Sequence, residues 1–200
     1  MANIVVEGPI GVGKTSLTRY LAGAIHAREV LEVVEENPFL APFYQDPERY
    51  AFPAQTFFLL SRFRQSQQQS QGTLFARHVV ADYLFEKDWI FASLNLHGDE
   101  WELYQELYRN LAPKLAPPDL VVYLRADVDV LLGRIAGRAR PFERDIDPSY
   151  LRRLNEAYDA WFAHCPYPLH VIEAADVDFV ASEDDRATLL GDILQLAKVA

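Results

Sequence analysis

Apolar residues in this chain gather in short continuous runs at residues 3–7, 30–34, 78–82, 120–124 and 169–173, each rich in Val, Ile or Leu. Between these runs, apolar positions recur three and four residues apart. Short unbroken runs predict buried strands, and the intervening period predicts helices. Strands that are apolar on both faces belong in a parallel sheet covered on both sides. The expected architecture is a three-layer α/β fold with a five-stranded parallel sheet and helices on both faces. Ligands of such sheets bind at the carboxyl ends of the strands.

The expected helices fall at residues 15–26, 48–70, 101–115, 128–140 and 148–162. Leu17, Leu21 and Ile25 form the stripe of the first. Phe52, Phe57, Leu59, Leu60 and Phe63 are expected to supply the apolar side of the second, with the glutamine-rich run 65–71 as its solvated end. Pro117-Pro118 stops the third. Tyr150, Leu154, Tyr158, Trp161 and Phe162 form the core stripe of the last. With no repeat and no linker composition, residues 1–200 are expected to form one domain.

The sharpest motif is Gly8-Pro9-Ile10-Gly11-Val12-Gly13-Lys14-Thr15, which fits G-x-x-x-x-G-K-[ST] between an expected strand and an expected helix. Glycines let backbone N–H groups turn inward around phosphate oxygens, and the helix start directs its positive end at the same anion. Gly8, Gly11, Val12, Gly13, Lys14, Thr15 and Ser16 are therefore the expected triphosphate cradle. Lys14 adds a charge between the β- and γ-phosphates, and the Thr15 hydroxyl can ligate Mg²⁺. Such a loop gives nucleotide binding but not the reaction.

Two expected strand ends carry acids, in Glu32-Val33-Val34-Glu35-Glu36-Asn37-Pro38 and at Asp82. Phosphoryl transfer to a hydroxyl needs a carboxylate that orients the hydroxyl and accepts its proton. It also needs an acid near Mg²⁺, and Asp82 is placed for that role. Arg134, Arg138, Arg140 and Arg144 cluster where residues 132–141 hold no acid. Like charges this close repel unless an anion sits among them. A triphosphate supplies one, and arginines closing over a transferring phosphoryl group stabilise its charge. The segment at about 134–147 is expected to be a lid.

The net charge is −10, which argues against a general duplex nucleic-acid binder. Cys165 is the only cysteine, so no internal disulfide is possible, and the five histidines form no zinc-ligand spacing. No apolar run approaches the about 20 residues that span a bilayer, and no signal-peptide pattern precedes Ile4. The expected location is cytoplasmic.

These segments together resemble the P-loop deoxyribonucleoside kinases, especially the bacterial deoxyadenosine/deoxyguanosine kinase branch, over residues 4–173. The stretch from Glu32 to Pro38 resembles that branch's form of the family's Glu-Pro-Val segment, with Val33 where proline is usual. By that resemblance Glu32 is the base toward the 5′-hydroxyl. In the stretch from Tyr44 to Gln55, Tyr44 matches the tyrosine that binds the sugar 3′-hydroxyl and Gln55 the glutamine that reads the base. Arg62 matches a base-proximal arginine, and Phe91 an aromatic lining the base pocket. The segment from Arg134 to Glu143 is similar to the family's lid. It implies phosphate contacts from Arg134, Arg138 and Arg140, catalytic for the last two, and a 3′-hydroxyl contact from Glu143.

One departure stands out. The family has Asp/Glu-Arg-Ser/Thr at the end of the third strand, whereas this chain has Asp82-Tyr83-Leu84. The missing arginine leaves Arg62, Lys87 or a lid arginine as substitutes, and Lys87 lies where an acid often helps choose the nucleobase.

The resemblance implies ATP or another nucleoside triphosphate as donor, Mg²⁺, a deoxynucleoside acceptor and a homodimer. The Glu-Glu-Asn-Pro stretch points to purines. A nucleoside monophosphate kinase is the second reading, and a non-catalytic nucleotide-binding module the third. The absence of an Asn-Lys-x-Asp segment argues against a GTPase. The late loop 176–186 is the candidate contact for the donor's base.

Overall fold

The computed structural model describes residues 2–32, 34–71, 78–138 and 146–199; for Glu35, residues 68–71 and Arg138 it describes the backbone alone. Five strands form the sheet: β1 (Ala2–Glu7), β2 (Arg28–Val30), β3 (His78–Ala81), β4 (Leu120–Arg125) and β5 (Leu169–Glu173). All pairings are parallel, in the order β2-β3-β1-β4-β5. Ile4 and Val6 of β1, Val80 of β3 and Val122 of β4 are fully buried, as strands covered on both faces require. The chain leaves β1 toward β2 and leaves β3 toward β4, on opposite sides of the sheet centre. The crevice where connections diverge is where such sheets bind ligands, and the loop after β1 opens into it.

The helices are α1 (Lys14–Ala24), α2 (Leu40–Gln45), α3 (Pro47–Gln71), α4 (Lys87–Asn95), α5 (Gly98–Leu111), α6 (Val128–Arg138), α7 (Pro148–Phe162) and α8 (Glu183–Leu196). Asp147 caps α7 by accepting from the Ser149 N–H at 2.8 Å, with Pro148 at the first helical position. Ser182 caps α8 in the same way, ahead of Glu183, Asp184 and Asp185.

Two apolar cores result. One surrounds the sheet. The other, containing Leu40, Phe43, Ala54, Phe58, Leu59, Phe85, Leu96 and Tyr104, lies among α2, α3, α4 and α5. Tyr44 and Tyr150 touch both cores. The groove between the cores meets the carboxyl ends of β1, β2 and β3.

Three expectations change. The second strand runs Arg28–Val30 rather than 30–34. The Glu32 N–H bonds to Asp82 Oδ1 at 2.6 Å instead of a sheet partner, and Gln65 Nε2 donates to the Leu31 carbonyl at 3.0 Å. The chain is thus drawn off the sheet edge, and residues Val34–Glu36 form a 3₁₀ turn. In α3 the buried positions are Ala51, Ala54, Gln55, Phe58, Leu59 and Arg62, whereas Phe52, Phe57 and Phe63 are half-buried and Leu60 is exposed. The helical spacing holds, but Gln55 and Arg62 share the buried face with Ala51, Ala54, Phe58 and Leu59, while Phe52, Phe57 and Phe63 lie on its flanks. The third expected helix begins at Gly98 and ends at Leu111, with a 3₁₀ turn at Ala112–Lys114.

Candidate active site

The loop after β1 is shaped by its glycines. Gly8 has φ +154°, and a Cβ there would lie 2.3 Å from the Leu124 carbonyl oxygen. Gly13 has φ +113° where α1 begins, and a Cβ there would press 2.8 Å from Phe179. α1 has no side-chain cap and no acid in its first turn, so its positive end faces the loop uncompensated. Lys14 folds back over the loop and donates to the Gly8 and Pro9 carbonyls at 2.7 and 3.1 Å.

The entry to the loop is fixed by Glu7, a fully buried carboxylate. Its Oε1 accepts from the Gly8 N–H at 2.8 Å and the Tyr158 hydroxyl at 3.2 Å, and its Oε2 accepts from the Leu84 N–H at 2.7 Å. Burial pushes the Tyr158 hydroxyl pKa well above its ordinary value, so it remains a donor. One side chain thus ties the phosphate loop to the β3–α4 turn and to α7. The sequence reading passed over Glu7, although an acid closing an apolar strand is the available signal.

Two hollows flank the loop. One, beside Gly11, Val12, Gly13, Thr15 and Ser16, is closed by Arg134 and by residues 174, 175 and 177–180. Arg134 donates to the Val12 and Ala174 carbonyls, both at 2.8 Å, so it braces the loop against the segment after β5. The expected donor-base loop, 176–186, reaches this hollow through Val177, Asp178, Phe179 and Val180.

The other hollow lies between the two cores. Lys14, Thr15, Glu32, Tyr44, Gln55, Arg62, Asp82 and Phe91 all line it. Every described residue expected on the acceptor side is therefore in one pocket. Lys87 and Asp88 of α4 line it too. Asp88 escaped the sequence reading because α4 itself did: a helix that opens with two buried charges inverts the usual pattern.

A chain of contacts organises this pocket. Asp82 accepts from the Thr15 hydroxyl at 2.7 Å and from the Glu32 N–H at 2.6 Å. The Glu32 carboxylate meets Arg62 through Oε1 and Lys87 Nζ through Oε2, the latter at 2.6 Å. Arg62 also contacts Asp88. Desolvation lowers the Arg62 pKa from its ordinary value, and the Glu7 carboxylate, followed by the Tyr104, Tyr83 and Tyr158 hydroxyls, opposes that shift. Gln55 is 3% exposed, and its Oε1 has no hydrogen-bond partner among the described residues. Such a buried acceptor awaits a donor from a ligand.

Arg140 and Glu143, expected at the phosphates and the 3′-hydroxyl, fall outside the described residues, as does the side chain of Arg138.

The fold is that of the P-loop kinases. Residues 4–198 match the deoxynucleoside kinase family model, and the chain belongs to that family. It is 33% identical to the deoxyguanosine kinase of Bacillus subtilis (strain 168) over 96% of both chains. It is 32% identical to the deoxyadenosine kinase of Lactobacillus acidophilus over 95% of this chain and 94% of that one. A solved structure of the M. mycoides deoxyadenosine kinase, with products dCMP and a flexible dCDP bound, superposes with a TM-score of 0.85 at 24% identity over 96% of this chain and 99% of that chain. That likeness carries the fold. Family membership makes the chain a kinase with a nucleotide as phosphate donor. No helix among the described residues is long and apolar enough to cross a membrane.

Proposed function

We propose that the protein transfers the γ-phosphate of ATP, or of another nucleoside triphosphate, to the 5′-hydroxyl of a deoxynucleoside, with deoxyadenosine and deoxyguanosine as its acceptors. The observation that carries this reading is the position of Glu32. Its carboxylate lines one pocket with Lys14 and Thr15 of the phosphate loop and with Tyr44, Gln55 and Phe91. The hydroxyl donates its proton to Glu32 as its oxygen attacks the γ-phosphorus, and the bond to the β-phosphate oxygen breaks. Gln55 and Arg62 face a base edge, Phe91 its flat side, and Tyr44 the sugar.

The donor's phosphates occupy the loop from Gly8 to Ser16. Thr15 and Asp82 would hold Mg²⁺, since their bonded oxygens are hard ligands of the kind that ion takes. Bound there, the ion would offset charge on the β- and γ-phosphate oxygens. Among the described residues no group of three or more His, Cys, Asp or Glu could hold a metal. This agrees with an ion shared between a hydroxyl, one carboxylate and the substrate's own phosphates. By the family resemblance Arg138 and Arg140 act on the phosphates and Glu143 on the sugar 3′-hydroxyl. The protein works as one domain and a cytoplasmic homodimer; Leu60 on α3 and Leu103 on α5, 38% and 49% exposed, support contact through those helices.

A monophosphate acceptor would need cations to spare. Arg62 and Lys87 already face Glu32 and Asp88, which favours a neutral hydroxyl. The relatives named deoxyguanosine kinase and deoxyadenosine kinase support purine acceptors.

The test is ATP–Mg²⁺ turnover on four deoxynucleosides and their monophosphates. Purine deoxynucleosides should be phosphorylated, and Glu32→Gln should lower kcat by about 100- to 10,000-fold. Turnover of monophosphates alone would reject the proposal in favour of a monophosphate kinase.

A further inference from the structure

A carboxylate at the end of a buried strand costs free energy unless its oxygens find donors. Glu7 closes β1, the central strand of the sheet, and is 0% exposed. The two backbone donors that meet it belong to different halves of the site. Its Oε1 accepts from the N–H of Gly8, the residue that opens the phosphate loop, at 2.8 Å. Its Oε2 accepts from the Leu84 N–H at 2.7 Å. Leu84 follows Asp82 in the turn that leads into α4, and α4 brings Lys87, Asp88 and Phe91 to the acceptor pocket.

This arrangement does more than satisfy two backbone groups. A carboxylate is planar and accepts on both oxygens, so the two N–H groups it holds keep one separation. Each segment is also held from its far side. A Cβ at Gly8 would lie 2.3 Å from the Leu124 carbonyl oxygen, so the loop entry is wedged between β4 and Glu7. Asp82, in the turn, accepts from the Glu32 N–H at 2.6 Å and from the Thr15 hydroxyl at 2.7 Å. Glu32 therefore travels with the turn. A shift of the turn against the loop would move the proton-accepting carboxylate relative to the transferring phosphoryl group.

We propose that Glu7 is a positioning residue for phosphoryl transfer: it holds the phosphate loop and the turn bearing Asp82 in register, so that the acceptor hydroxyl meets the γ-phosphorus in line. The proposal rests on the reading of Glu32 as the proton acceptor for a deoxynucleoside hydroxyl. Glu7 touches neither substrate. It acts through Gly8 on the donor side and through Leu84 and Asp82 on the acceptor side. A displacement of about 1 Å between reacting groups costs about 100-fold in rate even where binding survives.

The experiment compares Glu7→Gln and Tyr158→Phe with the parent. It measures kcat, the KM values for deoxynucleoside and ATP, and Tm, with the kinetics run well below every melt. In Glu7→Gln the side-chain amide nitrogen must face one of the two backbone N–H groups, so one tie is lost while size and shape are kept. Tyr158→Phe removes the hydroxyl that donates to Oε1 at 3.2 Å and leaves both backbone ties in place. Both variants should lower Tm. Glu7→Gln should also lower kcat about 100-fold, with both KM values within a few-fold of the parent, whereas Tyr158→Phe should keep kcat within about threefold. If Glu7→Gln folds and keeps kcat within about threefold of the parent, Glu7 positions nothing. Equal losses of kcat in the two variants overturn the proposal as well, since a merely structural carboxylate gives that result. The parent supplies a test that needs no variant. Amide hydrogen exchange should find the Gly8 and Leu84 N–H groups protected both in the free protein and in the protein loaded with ADP and a deoxynucleoside. Rapid exchange of either group in the loaded protein would show that Glu7 releases one segment before transfer, against the proposal. Failure of the parent to phosphorylate any deoxynucleoside would instead remove the acceptor reading itself, and this proposal with it.

Discussion

Lys14→Met should lower kcat by about 1,000- to 100,000-fold, the scale on which a single charge at a transferring phosphoryl group acts. The KM for the deoxynucleoside and the Tm should stay near those of the parent. The reason lies in the posture of the side chain. Lys14 Nζ donates to the Gly8 and Pro9 carbonyls, arching over the loop that its own helix start helps to form. A triphosphate entering the loop offers full negative charges where those carbonyls offer partial ones. The ammonium therefore exchanges them for phosphate oxygens and lies between the β- and γ-phosphates as the bond between them breaks. The fold does not depend on it: Lys14 is half-buried, and the loop's course is set by Gly8, Gly13 and the Glu7 carboxylate. Steady-state kinetics on both substrates, with a thermal melt, decide the matter. A variant within about tenfold of the parent would place the phosphoryl-stabilising charge elsewhere.

The phosphate loop was legible because its requirements are local. Glycine at positive φ, a lysine at the helix start and a strand before it all leave marks within one short segment. The acceptor pocket was legible only in part. Glu32 was marked as an acid at a strand end, whereas Gln55 and Arg62 came from family resemblance, and the structure explains why periodicity alone would mislead there. Gln55 and Arg62 occupy the buried face of α3, where a hydrophobic-pattern reading expects apolar residues, and the eye moves to Phe52 and Phe57 on the flanks. The second strand was displaced because Glu32 gives its N–H to Asp82, a contact 50 residues away in sequence that no local pattern announces. α4 was missed for the same kind of reason: it opens with Lys87 and Asp88, both buried, so charge appears where burial is. α8 carries a readable start, Ser182 followed by three acids, but the acids give its first turn the look of a solvated loop.

Arg62→Met should destabilise the protein by about 3–5 kcal/mol, the cost of breaking a buried ion pair by removing one partner. For a chain of this size that lowers Tm by roughly 6–20 °C. Arg62 is 4% exposed and Asp88 is 1% exposed, and their contact lies where α3 packs on α4. The guanidinium also sits 4.8 Å from the Phe58 ring and 5.8 Å from the Tyr83 ring, so its flat faces are covered as well as its edges. Methionine fills much of this volume. The loss therefore reports charge rather than a void, with the Asp88 carboxylate left buried against an apolar side chain. The double variant Arg62→Met, Asp88→Leu separates the two causes. An ion pair replaced on both sides by apolar groups is often neutral or stabilising, so the double variant should melt well above the single one. It should nevertheless remain poorly active, because Glu32 then loses one of its two cations and the base edge loses its guanidinium. Melts of the three proteins, read as a double-mutant cycle, test the pairing. Losses that simply add would mean that Arg62 and Asp88 stabilise the fold independently.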